Sequence, residues 1–389
     1  MTNPIEAVRL ADPYPGYAAL VATRPFAYDP AVNAWVAADA AAVRAVLGSA
    51  ALRVRPVAEP VPAGIVGTAA GEVFGDLVRM TDGDLQQRLK GVVAQALGST
   101  DPAYAARLAA EQTRAALATG GEVPFEELMF AVPARVVAGL CGLDADGSAQ
   151  AARLIGEFVQ CIPALATPEQ QRSAALAAAG LRELLGPGIE DAGAAGAAEE
   201  AGTGLLAALV RAARDASWTR TAPLLANAVG FLSQTYDATA GLIGNTLLAL
   251  TRQETPKSPA EREAFVREVV RHDAPIQNTR RFAAEPFRHG DAEVAPGEQV
   301  LVLLAAANRD PAVNPDPHSF RPGREAPAVF TFGAAAHRCP GENLAVAMAD
   351  AVVGTLLDSG FDPACLPSGP FGPAEVTYRP LANARIPVL

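Results

Sequence analysis

A long, mostly apolar run from about residue 221 to residue 251 limits most strongly what this chain can fold into. Polar residues 233–237 interrupt the run, so no stretch approaches the ~20 uninterrupted apolar residues of a membrane span. A helix of this length is normal inside a large helical domain. Polar side chains are costly in such a core, so the patch indicates either a satisfied polar kink or a helix that passes a cavity.

The rest of the chain also favours helices. It has 389 residues, half of them hydrophobic, which is ample for a large core. Further helical patterns cover residues 85–97, 102–118, 125–141, 148–160 and 168–185. Residues 187–203 indicate an exposed loop or a weak helix, residues 308–324 indicate coil, and β signals occur only near 26–36 and 299–304. The predicted fold is mainly α with minor β, in a single domain over residues 1–389.

Charge and cysteine usage argue against several classes of protein. The formal net charge of -11 argues against nucleic-acid binding, which needs a basic face. Four scattered cysteines without a CxxC pair do not make a disulfide framework. The first residues lack the charged and apolar regions of a signal peptide. We therefore expect a cytoplasmic protein without membrane attachment, and the Ala-, Gly- and Pro-rich composition is typical of a GC-rich bacterial genome.

One cysteine has a setting suited to metal binding. Cys339 precedes Pro340-Gly341 and a good helical pattern, so unpaired N–H groups and the helix dipole favour its thiolate. Upstream, Gly333 and a row of alanines let the backbone pass close to a flat partner. Such a thiolate can serve as the protein ligand of an iron porphyrin, although a lone cysteine before a helix is more often an inert buried residue.

The neighbouring residues change that balance, because they resemble the haem loop of the cytochrome P450 family, Phe-x-x-Gly-x-x-x-Cys-x-Gly. Bacterial members commonly have Phe-Gly-x-Gly-x-His-x-Cys-x-Gly, and this chain matches at Phe332, Gly333, His337, Cys339 and Gly341. Ala335 replaces the second glycine, a small change where the backbone angle is allowed and a strained one where φ is positive. The resemblance implies that Cys339 is the axial ligand of haem b, that Phe332 shields the sulfur and that His337 reaches a propionate.

Further blocks follow in the order of the family. Glu268 and Arg271 match its Glu-x-x-Arg, which places both side chains on one helix face; alone, the pair indicates only a surface ion pair. The later blocks are residues 275–277 with Arg281, residues 307–311, residues 314–317 and residues 320–324. By resemblance, Arg281 binds a haem propionate, and Glu268, Arg271 and Arg324 form a buried structural network.

The long apolar run departs from the family's oxygen-activation motif, (Ala/Gly)-Gly-x-(Asp/Glu)-Thr. Asp237 supplies the acid, but Gln234 and Thr235 replace two small residues, and Ala238 replaces the threonine. Thr239 lies one residue along, rotated by ~100° on a helix. The threonine hydroxyl orders the water that delivers protons. Three interpretations follow: a substrate hydroxyl or ordered water replaces it, Gln234 or Thr235 supplies the hydrogen bond, or the chemistry is not ordinary monooxygenation.

A second departure concerns the family's His-x-x-x-Arg, whose side chains contact the propionates. Gln86 and Lys90 align with it. Gln86 can donate a neutral hydrogen bond, and Lys90 can neutralise a propionate as a point charge, although it lacks the two parallel N–H donors of arginine. For Lys90 and for the intervening Arg88, the alternative is that they are solvated charges on an amphipathic helix.

The resemblance implies a haem sandwiched within one helical domain and a monooxygenase reaction on a small, natural-product-like molecule of secondary metabolism. Electrons would come from a separate ferredoxin or flavoprotein, with Arg338 as a candidate contact, and the protein would be a monomer. The rival interpretation is a haem-thiolate enzyme that is driven by peroxide or performs a non-oxygenating rearrangement or coupling. A third is a non-catalytic haem sensor.

Overall fold

The computed structural model of the chain describes residues 3–118, 124–163, 166–194, 204–366 and 376–389. Helices dominate it, as the sequence predicts. The α-helices are α1 (Tyr14–Thr23), α2 (Ala40–Gly48), α3 (Ala69–Asp76), α4 (Gly83–Gly98), α5 (Pro102–Leu117), α6 (Val132–Leu140), α7 (Ala145–Phe158), α8 (Pro168–Ala194), α9 (Leu205–Asp215), α10 (Thr221–Leu250), α11 (Pro259–His272), α12 (Leu304–Asn308) and α13 (Glu342–Asp358). The strands are β1 (Phe26–Asp29), β2 (Ala34–Ala37), β3 (Leu52–Arg53), β4 (Thr279–Ala283), β5 (Phe287–His289), β6 (Ala292–Val294) and β7 (Gln299–Val302).

The chain divides into two compact units, and the first comprises Met1–Val57, Ala238–Cys339 and Ala349–Leu389. Its sheet has the strand order β1-β2-β7-β4-β3, with β2 parallel to β7 and the other neighbours antiparallel. Strand β7 is buried on both faces, because Val300 and Val302 pack with α2 while Leu301 packs with α1. A continuous apolar run is typical of such a strand.

The second unit comprises Ala58–Asp237 and Pro340–Met348. In it, α7 packs against α6 and α8, and α4 packs against α9. Local sequence sets several helix starts: Asp101 caps α5 through the Ala103 N–H, with proline at the first helical position as predicted. Asp144 caps α7 through the Gly147 N–H in the same way.

Helix α8 continues beyond the predicted end near residue 185. Pro187 lies inside it, although proline removes one helical hydrogen bond. Ile189 and Ala192 after the proline are buried, and Arg214 of α9 donates to the Ala192 carbonyl at 3.3 Å. This packing extends the helix where a loop or weak helix was expected, while residues 195–203 lie outside the described part.

The mainly α class with minor β is confirmed, whereas β3 to β6 were not predicted. Strands β3, β5 and β6 have only two or three residues, and β4, with five, begins with three polar residues that give no apolar pattern. The single domain over residues 1–389 remains a prediction. Within the described ranges, no helix combines the length and apolarity needed to cross a bilayer.

Candidate functional site

The segment around Cys339 is a closed loop. The Cys339 N–H donates to the Phe332 carbonyl at 2.8 Å, and the Gly333 N–H donates to the Phe330 carbonyl at 2.7 Å. Cys339 is partly exposed and outside any disulfide, and it lies three residues before α13 begins. The backbone therefore holds the sulfur at a fixed point of the loop, as a metal ligand requires.

Two residues of this loop have a left-handed backbone. Gly333 has φ of 71°, which glycine adopts freely, and Ala335 has φ of 53°. The left-handed conformation costs a residue with a Cβ roughly 1–2 kcal/mol. The structure thus decides the question that the sequence left open, because alanine at the position of the second glycine is strained.

Replacing Ala335 by glycine is expected to raise the free energy of unfolding by about 1 kcal/mol, because it removes the Cβ that opposes a positive φ. Denaturant unfolding measures the change. The matched control is Ala334→Gly, whose φ is -148°, where glycine only adds freedom to the unfolded chain. The control is expected to lower stability, and equal effects of the two variants would contradict strain at Ala335.

The structure brings Glu268, Arg271 and Arg324 together in a network. Arg271 is fully buried and donates from Nη2 to Glu268 Oε1 at 2.6 Å and from Nε to Oε2 at 2.9 Å. Arg324 Nε donates to Oε1 at 3.1 Å. Burial alone would raise the pKa of Glu268, but hydrogen bonds from Arg271, the Arg321 N–H and Arg324 hold that pKa below its ordinary value. Glu268 is therefore an ionised, fully used acceptor.

The network reaches the Cys339 loop through Asn308, which sequence reasoning noted only as part of a matching block. Arg271 donates to the Asn308 carbonyl at 3.3 Å, and the Asn308 side chain accepts from the Phe330 N–H at 2.6 Å and donates to Thr331 Oγ1 at 2.7 Å. Thr331 in turn donates to the Val270 carbonyl of α11 at 2.7 Å. The start of the loop is thereby tied to the helix that carries the ion pair.

The predicted propionate ligands lie on separate elements. In the first unit, Arg281 is buried on β4 and donates to its neighbour's carbonyl, that of Arg280, at 2.8 Å, while His337 ends a short 3₁₀ turn and is partly exposed. In the second unit, Gln86 is buried on α4 and Lys90 follows one turn later. Arg88 between them is exposed, and its guanidinium carbon lies 5.5 Å from the centroid of the Trp218 ring. Arg88 is therefore a surface side chain, in agreement with the alternative reading of that position.

Residues 234–238 are partly exposed, although the residues on either side of them in α10 are buried. Gln234 Nε2 donates to the Gly230 carbonyl at 3.2 Å, and Thr235 Oγ1 donates to the Phe231 carbonyl at 2.7 Å. Both side chains therefore fold back on their own helix. Of the two interpretations of the polar patch, accessible surface in mid-helix favours a helix that passes a cavity.

The Thr239 hydroxyl is not placed to take over the role of the hydroxyl that Ala238 lacks. Its side chain is 1% exposed, and its Oγ1 is buried without a hydrogen-bond partner among the described residues. A hydroxyl sealed in this manner has no accessible surface on which to order a water. Thr239 is one residue further along the helix than Ala238, so its side chain is rotated by ~100° and lies in the buried part of the helix surface.

Two residues near the polar patch were missed by sequence reasoning. A Cβ on Gly230 would come within 2.9 Å of Leu77 Cδ2 and 3.2 Å of Gln234 Nε2, so glycine leaves the space that the Gln234 amide uses. Burial lowers the pKa of Arg79, and the charge of Asp237 opposes that shift. No motif identifies either residue, because each acts through proximity in the folded second unit.

The residues present fit an iron porphyrin. Cys339 is outside any disulfide, on a loop with several small residues. The buried guanidinium of Arg281 lies in the same unit and suits a carboxylate. Among the described residues, no group of three or more His, Cys, Asp and Glu could hold a metal ion directly.

Comparison with known proteins gives a consistent result. Residues 262–367 match the family model described as Cytochrome P450. Over 165 residues the chain is 34% identical to "Cytochrome P450 107B1" of Saccharopolyspora erythraea, and over 152 residues it is 36% identical to "6-deoxyerythronolide B hydroxylase" of the same organism. These matches cover 41% and 38% of each chain, so this chain matches about two fifths of the length of these curated relatives.

The fold extends much further than the sequence matches. The crystal structure of CalO2 superimposes with a TM-score of 0.80 at 24% identity, covering 99% of this chain and 96% of that one. At this identity the likeness shows the fold alone.

Proposed function

This chain belongs to the cytochrome P450 family, and from that premise we propose that it is a haem-thiolate monooxygenase acting on a small organic molecule. The observation that carries the proposal is the closed Cys339 loop, tied through Asn308 to the buried Glu268–Arg271 pair. A partly exposed thiol held this firmly suits the role of a ligand better than that of an inert core residue.

The family implies a haem cofactor, and we assign haem b to it. Cys339 would provide the axial sulfur, with Phe332 beside it and Gly341 allowing the chain to turn away. Arg281 and His337 of the same unit would bind propionates, and similar roles for Gln86 and Lys90 remain predictions from the resemblance. When bound there, the haem would supply the dioxygen binding and the electron transfer that oxidation of the substrate requires.

The protein's own part in oxygen chemistry is to hold and move protons. Asp237 interacts electrostatically with the Arg79 guanidinium, and we assign the transfer of protons to this carboxyl group. Thr235 and Gln234 already donate to their own helix, and Thr239 is sealed. These contacts favour the first interpretation, in which a bound water or a substrate hydroxyl fills the place beside Ala238.

The electron donor we propose is an acidic ferredoxin or flavoprotein. A depression of about 440 Å³ in the first unit is lined by Arg44 and Arg338 together with apolar residues that include Phe330. Two guanidinium groups at the rim of an apolar patch suit an acidic partner, whose docking would then weaken with salt. We expect a monomeric enzyme of secondary metabolism with a natural-product-like substrate.

The proposal predicts product only when electrons are supplied. A compound that shifts the spin state of the purified protein is incubated with ferredoxin, reductase and NAD(P)H, or with hydrogen peroxide alone, and product is measured by mass spectrometry. Product in the first reaction supports the monooxygenase. Ala238 favours a second candidate, a peroxide-driven enzyme, and substantial product with peroxide alone would replace the first candidate by the second.

The same assay tests Asp237. Asp237→Asn is expected to slow electron-driven product formation by roughly 10²-fold, the scale of general acid–base catalysis, because the amide cannot relay a proton. The control is Asp358→Asn, an exposed carboxylate at the end of α13, which is expected to leave the rate unchanged. Equal rates for the two variants would show that Asp237 does not deliver protons.

A further inference from the structure

A second cavity of about 470 Å³ lies in the first unit, between α1, the end of α10 and α11. Its lining includes no residue of the Cys339 loop and none of residues 234–239. Apolar side chains such as Pro15, Ala18 and Leu248 form much of the wall. The charged side chains that line it are Asp12, Arg252, Asp273, Arg309 and Arg385. Its volume falls within the roughly 300–1,000 Å³ of small-molecule sites.

The Arg309 guanidinium is held rigidly in this wall. The side chain is 9% exposed, and its carbon lies 3.3 Å from the centroid of the Tyr14 ring. Nε donates to the His272 carbonyl at 2.8 Å, and Nη2 donates to the same carbonyl and lies 2.9 Å from His272 Nδ1. Nη1 has no acceptor within the described ranges and is not among the fully buried atoms. Arg309 lines the cavity, so this unused edge of a fixed guanidinium is the part that remains for a ligand.

The carboxylates near Arg309, those of Asp273 and Asp12, attract its charge but make their direct contacts with other groups. Asp273 accepts from Arg385 Nε at 2.9 Å and from the Tyr14 hydroxyl at 2.8 Å, so that carboxylate is already used. Asp12 is exposed and accepts from the Tyr14 N–H at 3.0 Å. In the described part of the chain, no carboxylate forms an ion pair with Arg309. Burial lowers the pKa of His272 to about 4, so its ring is neutral near pH 7 and Nδ1 serves as an acceptor.

We propose that this cavity binds a small organic carboxylate, whose oxygens contact Nη1 of Arg309 while its apolar part lies against Ala18 and Leu248. A nearly buried cation without a carboxylate partner is costly, and a bound anion would offset that cost. The largely apolar wall favours an organic anion over inorganic phosphate, which would gain nothing from it. This site is separate from the proposed oxygenase chemistry and does not depend on it.

Isothermal titration of the purified protein with benzoate tests the proposal, with benzyl alcohol and inorganic phosphate as comparison ligands. Arg309→Gln removes the charge and is expected to weaken benzoate binding at least tenfold. Ala18→Phe fills the cavity and leaves Arg309 in place, so it decides the question if the first variant does not fold. The matched control is Ala19→Phe, at the next, exposed position of α1, which is expected to bind benzoate like the unmodified protein.

Binding of benzoate at least tenfold tighter than of benzyl alcohol, lost in Arg309→Gln and Ala18→Phe and retained in Ala19→Phe, supports the site. No benzoate binding, or binding that neither cavity variant weakens, overturns it. Binding of phosphate without binding of benzoate overturns the assignment to an organic carboxylate. Because the readout is heat of binding, a failure of oxygenase activity would leave the result unaffected.

Discussion

Replacing Cys339 by alanine is expected to abolish the red-shifted absorption band that the reduced, carbon monoxide-treated protein shows when a thiolate ligates its iron. No other side chain of the loop supplies an anionic sulfur. By resemblance His337 binds a propionate, Arg338 is a cation, and Phe332 and the alanines offer no ligand atom. Electron-driven product formation is expected to fall to background with the band. The change is complete rather than graded, since the ligand is either present or absent.

The matched control is Cys365→Ala, which removes an exposed cysteine. It is expected to retain both the band and the activity, and circular dichroism of the two variants separates loss of the ligand from loss of the fold. If the unmodified protein lacks the band, or if Cys339→Ala keeps it, the assignment of Cys339 as haem ligand is wrong.

Glu268→Ala is the substitution expected to affect stability most. It leaves the fully buried Arg271 guanidinium without its carboxylate, and removing one partner of a buried ion pair costs about 3–5 kcal/mol. Arg324 and the Arg321 N–H lose the same acceptor. A loss of this size approaches the whole stability of many domains, roughly 5–15 kcal/mol. Urea unfolding of the purified variants measures it.

Helix α11 provides its own control for this prediction. Glu263 pairs with Arg267 at 2.8 Å on the exposed side of the helix, and Glu263→Ala is expected to cost less than about 1 kcal/mol. A similar loss in the two variants would contradict a structural role for the buried network. The network reaches Phe330 and Thr331 through Asn308. If some of the Glu268→Ala protein still folds, we therefore expect its thiolate absorption band to be weaker than that of the unmodified protein.

Much of the site could be predicted because its signals are local. The spacing of Glu268 and Arg271 places both on one helix face whatever surrounds them, and the structure joins them to Arg324 as the resemblance implied. The long helix α10 also follows from its own residues, since a run of apolar side chains with helical propensity needs only burial to form. Short strands such as β5 and β6 escaped prediction, because three residues carry too little pattern.

What the sequence alone determined is the set of residues at the proposed thiolate side: a cysteine before a helix, in a loop with several small residues, preceded by an ion pair in matching order. The tertiary structure decided the rest. It gives Ala335 a positive φ, seals the Thr239 hydroxyl and carries α8 through Pro187. It also leaves one edge of the Arg309 guanidinium unused in the lining of a cavity. Residue types set what a side chain can do, but backbone angles, burial and partners depend on distant segments that only folding brings together.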